Sequence, residues 1–559
     1  MTSPSLPDNE QLPGTPSAWQ LLTSMNAASN RWPGALRSAL ALLLPGLIAL
    51  VAGSSQGMLM VAAGACAVIY GEGRPFRVRW RVILIAGTLL TLGTVAGSAL
   101  GHVVFAQLAG GNHWWYLLIG AYATAIATTG AFVQNALRLP PPGAFFIVMT
   151  AGGATMSAKL GLNPFEVGGW TLLGVASSLI VGMTPWLVHP HLPEEQAVTG
   201  LEKAVAALRE NPTVATKHQA AQSMSSAWSA LSDAQVVSHG RVTDPSHEPL
   251  VDRVRRAQLE LSQVDSSPGE LSDDDRLSDT SRTVIPHARP TMRYRIYRAM
   301  SAYSHPTITA AQVLIAALGA VVISVAFGFD RPDWAAVSAM LILQWGPDRV
   351  PGSIRGVHRF LGTIGGIALF AGLHILSPGA LGVLVVLTLC QFGAEILVVR
   401  NYALCVIVTT PLALLMGGSL TKPLGSVVVD RFFETAIAVA CSLAVIWLTP
   451  VALSAKHHAW LVKRCRIAMS SLLGALLTQT PNEAIHSRRD LQYELLSERW
   501  AIASLARNDR ATALSRWSQH VSIQQAGYRL LDACTASPTS RLDTPAITSL
   551  ADDLRRVSP

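Results

Sequence analysis

The stretch that decides the fold is QWGPDRVPGSIRGVHRFLGTIGGI, residues 344–367. Arg349, Arg355, His358 and Arg359 stand there between two strongly apolar segments, DWAAVSAMLILQW (333–345) and FLGTIGGIALFAGLHIL (360–376). A short basic gap between two runs that partition into oil is the pattern of consecutive membrane crossings joined on the inner side.

The totals agree. Only 14% of the 559 residues are charged and 50% are hydrophobic, against about 25% charged in a soluble domain. Much of the surface must therefore face lipid. The net charge of +8 does not point to nucleic acid, because the basic residues cluster at the ends of apolar runs. The six cysteines are scattered without C-x-x-C spacing, so they read as packing residues and not as a metal or redox motif. The first residues, MTSPSLPDNEQLPGTPS (1–17), read as a polar tail. They lack the basic-then-apolar order of a cleaved signal peptide.

Apolar runs long enough for a bilayer core of about 30 Å lie near 35–53, 56–71, 82–108, 115–135, 143–158 and 167–188. A second group lies near 307–328, 333–347, 359–376, 380–399, 401–418 and 429–450. The expected fold is an all-α integral membrane protein with two six-helix transmembrane repeats, each followed by a cytoplasmic helical domain. The boundaries are a tail (1–34), a first bundle (35–188), a helical domain (189–304), a second bundle (305–450) and a C-terminal helical domain (451–559). With the N-terminus inside, Arg74, Arg77, Arg79, Arg81, Arg138, Arg349, Arg355, Arg359 and Arg400 fall on the inner side. Lys159, Arg331, Lys422 and Arg431 fall outside, and this asymmetry favours cytoplasmic termini. LEKAVAALREN (201–211), LVDRVRRAQLELSQV (250–264), AWLVKRCRIAMSSLLGALLTQ (459–479) and LQYELLSERWAIASLARN (491–508) read as amphipathic helices. SSPGELSDDDRLSDTSRTVIPHARP (266–290) reads as a disordered linker.

The halves echo each other. LGTVAGSALG (92–101) and LGTIGGIAL (361–369) both carry glycines four apart, and each follows an arginine-rich loop. FFIVMTAGG (145–153) and VIVTTPLALL (406–415) both interrupt an apolar run with threonine, and the last span of each half ends in Thr-Pro, at Pro185 and Pro450. Glycines at this spacing let helices approach closely.

DWAAVSAMLILQW, the arginine loop, RFLGTIGG (359–366), NYALCVIVTTPLALL (401–415) and DRFFETAIAVACSLAV (430–445) together resemble the fusaric acid resistance family, which includes the aromatic acid exporters. The layout of spans and soluble pieces is similar over nearly the whole chain. Glu434 stands where that pattern carries aspartate. The resemblance implies bacterial inner-membrane efflux of aromatic or other weak organic acids, in some members with a periplasmic adaptor protein. Distantly related plant anion channels keep uncoupled conduction open.

With Ser353 as cap of a helix starting near Ile354, Arg355 and Arg359 fall at i and i+4 on one face with Gly362 and Gly366. A guanidinium fork matches a carboxylate, and a basic inner mouth concentrates anions. The same arginines could instead only fix topology and bind lipid phosphate. The substrate-binding candidates are Arg349, Arg355, Arg359, Gln344, Trp345, Asn401, Tyr402, Thr409 and Thr410. The coupling candidates are Glu395, Arg431 and Glu434, because an ionisable group in a span is costly and a functional candidate by default. Glu395 could equally pair with Arg400 or another inner arginine, and Arg431 with Glu434. No cofactor, metal or catalytic cluster is expected, and self-association through glycine-rich faces is. An uncoupled organic-anion channel and a non-transporting membrane scaffold stand as alternatives to the exporter.

Overall fold

A computed structural model of the chain describes residues 18–23, 31–211, 214–238, 241–243, 245–266, 290–537 and 539–557. Most of the polar tail and the linker expected at 266–290 lie outside the described residues. The first apolar group folds as α1 (Trp32–Val51), α2 (Ser55–Ala65), α3 (Phe76–Leu108), α4 (Tyr116–Leu137), α5 (Phe145–Ala154) and α6 (Pro164–Met183). Amphipathic helices α7 (Leu192–Glu210), α8 (Val214–Asp233) and α9 (Glu248–Ser266) follow, then the short α10 (Met292–Ala299). The second apolar group is α11 (His305–Ala326), α12 (Pro332–Leu343), α13 (Arg349–Leu376), α14 (Ala380–Arg400), α15 (Tyr402–Met416) and α16 (Leu424–Leu448). The chain continues through α17 (Ala452–Leu476), α18 (Ile485–Asn508), α19 (Arg510–Ala536) and α20 (Thr544–Val557). Among the described residues the only strand pairing is a two-residue antiparallel contact, Val237–Ser238 with Arg241–Val242.

Eight described helices, α1, α3, α4, α6, α11, α13, α14 and α16, are long and apolar enough to cross a membrane. The other four apolar helices, α2, α5, α12 and α15, are shorter. The sequence marks α2 and α12 as short; α5 and α15 are shorter than expected. All four are inner helices. Every residue of α12 is buried, and most of α5 and α15 is too. A helix wrapped by other helices need not present a full apolar band to lipid, because its ends meet protein.

Local chemistry sets several helix starts. Asn163 and Glu166 form a reciprocal capping box ahead of α6 (2.9 Å each way), with Pro164 at the first helical position. One expectation fails: α13 begins at Arg349, not near Ile354. Ser353 lies within it and donates its hydroxyl to the Arg349 carbonyl (2.8 Å), so it caps nothing. The sequence PDRVPGS still enters a helix because Pro351 sits in the first turn, where it lacks only an N–H that has no partner there anyway.

Helix pairs recur between the two groups. α3 packs on α5 and α6, as α13 packs on α15 and α16; α2 packs on α6, as α12 packs on α16. The groups meet where α1 lies against α14 and α4 against α11. The glycine rows have the same job in both. A β-carbon on Gly97 or Gly101 would collide with the carbonyls of Ala151 and Thr155, closing α3 onto α5. On Gly362 or Gly366 it would strike Val406 and Thr410, closing α13 onto α15. Both sixth helices end just before a Thr-Pro pair.

The amphipathic helices build two further cores. Val198, Leu201, Val205, Met224, Leu231 and Val254 join α7, α8 and α9. Cys465, Leu472, Leu491, Leu495, Ile523 and Leu531 join α17, α18 and α19. All six cysteines are free thiols, five of them buried.

Candidate functional site

α13 carries Arg355 and Arg359 one turn apart, and both reach across to α12. The Arg355 Nε donates to the Ile342 carbonyl (2.8 Å) and its Nη2 to the Gly346 carbonyl (3.5 Å). Gly346 has φ +123°, a conformation that β-carbons disfavour, and this turns the chain out of α12 toward α13. Arg359 is 3% exposed and donates from Nη2 to the Ser338 hydroxyl (3.1 Å).

Both guanidinium groups border a cavity of about 2490 Å³. It reaches the end of the bundle that carries the two helical units, where Trp228 of α8 and Tyr493 and Trp500 of α18 contribute to its wall. Gln344, Trp345, Tyr402 and Thr409 border it with Arg355 and Arg359, so six of the nine substrate-binding candidates come together there.

The other three do not line it. Arg349 turns away: its amide donates to Asn508 Oδ1 (2.9 Å), and its guanidinium holds the Trp447 and Thr449 carbonyls (3.2 and 3.1 Å). It sits at the first position of α13, six residues and more than a turn and a half before Arg355, so it faces α16. Asn401 caps α15 by accepting from the amides of Ala403 and Leu404 (2.9 and 3.2 Å). Thr410 returns its hydroxyl to the Val406 carbonyl (2.8 Å) and packs against Gly366, a role this residue type often takes inside helices.

Glu395 also borders the cavity, and its partner is Arg31 (3.2 Å), not Arg400. Arg431 and Glu434 do not pair with each other through hydrogen bonds. Glu434 Oε1 accepts from the Arg331 amide (3.0 Å), and Arg431 lies over the Trp334 ring at 4.0 Å. Both are buried, beyond the wall of the cavity.

Sequence reasoning missed part of the lining. Arg138 figures in the sequence only as an inner-loop charge. It is held between Tyr493 (4.0 Å) and Trp500 (4.4 Å), and donates to Ser497 Oγ (2.6 Å). Tyr493, Ser497 and Trp500 recur at helical spacing on α18, which is the signal a reader could have used. Glu72 pairs with Arg37 and approaches Arg79 (3.9 Å) at the same rim. The contacts of Arg138 with α18 and of Arg37 with Glu72 join residues far apart in the chain, and spacing does not reveal them. Among the described residues no group of His, Cys, Asp and Glu is arranged to hold a metal ion.

Known proteins meet this architecture. Over 569 aligned residues, covering 90% of this chain and 85% of the other, it is 23% identical to the uncharacterized membrane protein YvaC of Bacillus subtilis (strain 168). No solved structure matches it significantly. Residues 317–445, which hold α12, α13, α15 and both cavity arginines of the opening stretch, match the family described as fusaric acid resistance protein-like. The chain is thus a multi-pass membrane protein that is similar, over residues 317–445, to the fusaric acid resistance protein-like family.

Proposed function

We propose that the protein exports aromatic or other weak organic carboxylic acids across the bacterial inner membrane. The observation that carries this reading is a large cavity with the buried guanidinium group of Arg359 and the half-buried one of Arg355 in its wall. In a low-dielectric site such groups attract a carboxylate far more strongly than in water. Trp345 and Tyr402, bordering the same space, suit the ring of an aromatic acid.

The bundle is two six-helix repeats, each followed by a cytoplasmic helical domain, and both termini are cytoplasmic. The recurring helix pairs support the repeats, and the arginine asymmetry of the loops supports the orientation. The cavity then faces the cytoplasm and loads the anion. The proton gradient drives export, and Glu395, the span carboxylate in the cavity wall, carries the proton while Arg31 releases it. A homo-oligomer, with a periplasmic adaptor protein on the outer side, completes the assembly.

Reconstitution tests this. Proteoliposomes holding the purified full chain are given radiolabelled benzoate and an imposed pH gradient. An exporter accumulates benzoate against its concentration gradient. An uncoupled anion channel carries it only down its electrochemical gradient. Absence of flux for benzoate, salicylate and 4-hydroxybenzoate alike overturns the transport reading.

A further inference from the structure

Arg355 and Arg359 line the cavity and Arg431 and Arg331 do not, but the four form one line. Read along α12 from its C-terminal end, the partners are Ile342, Ser338 and Trp334, each four residues from the next. They take Arg355, Arg359 and Arg431 in that order. The Arg331 guanidinium follows at 5.0 Å from the same Trp334 ring. One helix face thus carries four guanidinium groups over about 12 Å of helix rise between residues 342 and 334. Three of them come from other elements: two from α13 and one from α16.

The far end of this row differs from the near end. Arg331 is held by both oxygens of Asp333 (3.0 and 2.9 Å), and its amide by Glu434. Arg431 has no such partner. Its Nε and Nη1 are buried without a hydrogen bond, as are the Nε of Arg359 and the Oε2 of Glu434. Ser338 and Trp334, which hold Arg359 and Arg431, lie one helical turn apart on α12, so the two like charges are neighbours along it. A buried guanidinium with unused donors is costly, and two that face each other more so. The Trp334 ring compensates Arg431 in part, but it supplies no acceptor for these N–H groups. An anion between the two side chains supplies one.

The geometry points to a second anion site beyond the cavity, between the guanidinium groups of Arg359 and Arg431 on the Trp334–Ser338 face of α12, through which an organic carboxylate passes outward, with the Arg331–Asp333 pair and Glu434 closing its far end. This rests on the transport reading above. Arg355 and Arg359 load the anion from the cavity, Arg431 draws it past the closed end, Asp333 competes with it for the Arg331 guanidinium, and the charge of Glu434, held on the Arg331 amide, opposes its passage. Release then requires the Arg331–Asp333 pair to move.

The test uses the full chain and radiolabelled benzoate. For Arg431→Gln we expect flux in proteoliposomes to fall at least tenfold, while benzoate binding to the detergent-solubilised protein drops from two sites to the one in the cavity. Arg431→Lys, which keeps a charge but not the fork, is expected to fall between. Flux of Arg431→Gln within twofold of the parent overturns the second site and leaves the transport reading standing. Loss of flux with loss of all benzoate binding also overturns it, since the residue would then belong to the loading cavity. If Arg431→Gln does not reach a monodisperse state, Glu434→Gln decides. Removing the competing carboxylate is expected to raise flux at least threefold, and unchanged flux overturns the proposal. A parent protein that moves no carboxylate overturns the transport reading and the second site with it.

Discussion

Asp348, the last residue before α13, takes two hydrogen bonds from Arg507 near the end of α18 (2.9 and 2.7 Å). Ser504 and Asn508 donate to its other oxygen, the latter at 3.2 Å. One carboxylate in a loop of the membrane bundle is thereby gripped by a single helix of the C-terminal unit. That same helix holds Arg138 through Tyr493, Ser497 and Trp500. α18 therefore ties the turn after α4 to the turn after α12, which are two separate rims of the cavity.

This predicts that Asp348→Ala acts on transport more than on stability. The Arg507 side chain is 41% exposed and that of Asp348 15%, so solvent screens the pair from one side and its loss costs about 1 kcal/mol, the upper end for exposed pairs. The melting temperature of the purified variant should move by no more than about 2–4 °C, while benzoate flux falls severalfold because the rim and the helical unit no longer move together. A severe loss of melting temperature, or unaltered flux, would count against this coupling.

The glycine rows predict a steric effect. Gly366→Leu drives a side chain into Thr410 and the Ile407 carbonyl, neither of which can retreat without moving α15. Overpacking typically costs about 1–3 kcal/mol, and backbone in the way places this at the upper end. Gly372→Ala, on the same helix with open space around its β-carbon, should be neutral within about 0.5 kcal/mol. Thermal melting in detergent checks both. Equal melting temperatures for the two variants would mean that α13 and α15 are not closed on each other as described.

The C-terminal unit predicts a response to acid. Glu498 is buried between His458 (2.7 Å) and His520 (2.8 Å), with Gln524 donating to it at 2.7 Å. Burial alone would push its carboxyl up. The His520 charge and the hydrogen bonds from both imidazoles overcome that and hold it at about 2. An unfolded glutamate titrates near 4.3. The folded value is lower, so this carboxylate stabilises the unit above about pH 4.3, and the contribution is lost as pH falls toward 2. Glu498→Gln should cost about 3–5 kcal/mol at pH 7 and flatten the fall in melting temperature between about pH 4.5 and 3. Parallel melting curves for variant and parent across that range would refute the assignment.

Much of the membrane fold can be read in the chain because lipid imposes long apolar runs, and because arginines mark one side. The glycine rows could be read as packing for the same reason: spacing of four is a property of one helix. The cavity residues are legible only where one helix carries them, as with Arg355 and Arg359. Arg349 has the same charge and lies in the same loop, yet it faces α16, because helical phase separates residues that composition groups together. Asn401 and Thr410 show a second limit. Their side chains close local backbone hydrogen bonds, an alternative that sequence leaves open at every such residue. Arg138 between two rings of α18, and Arg31 on Glu395, depend on how distant elements dock, which spacing within one element does not encode.

Carboxylate binding by Arg355 and Arg359 in the cavity is read most directly from benzoate affinity and export in Arg355→Ala and Arg359→Ala at equal membrane expression. Each lost charge-assisted contact costs about 1.5–3 kcal/mol, so binding should weaken at least tenfold in each variant, with export falling in step. Binding and export in both variants indistinguishable from the parent would contradict it.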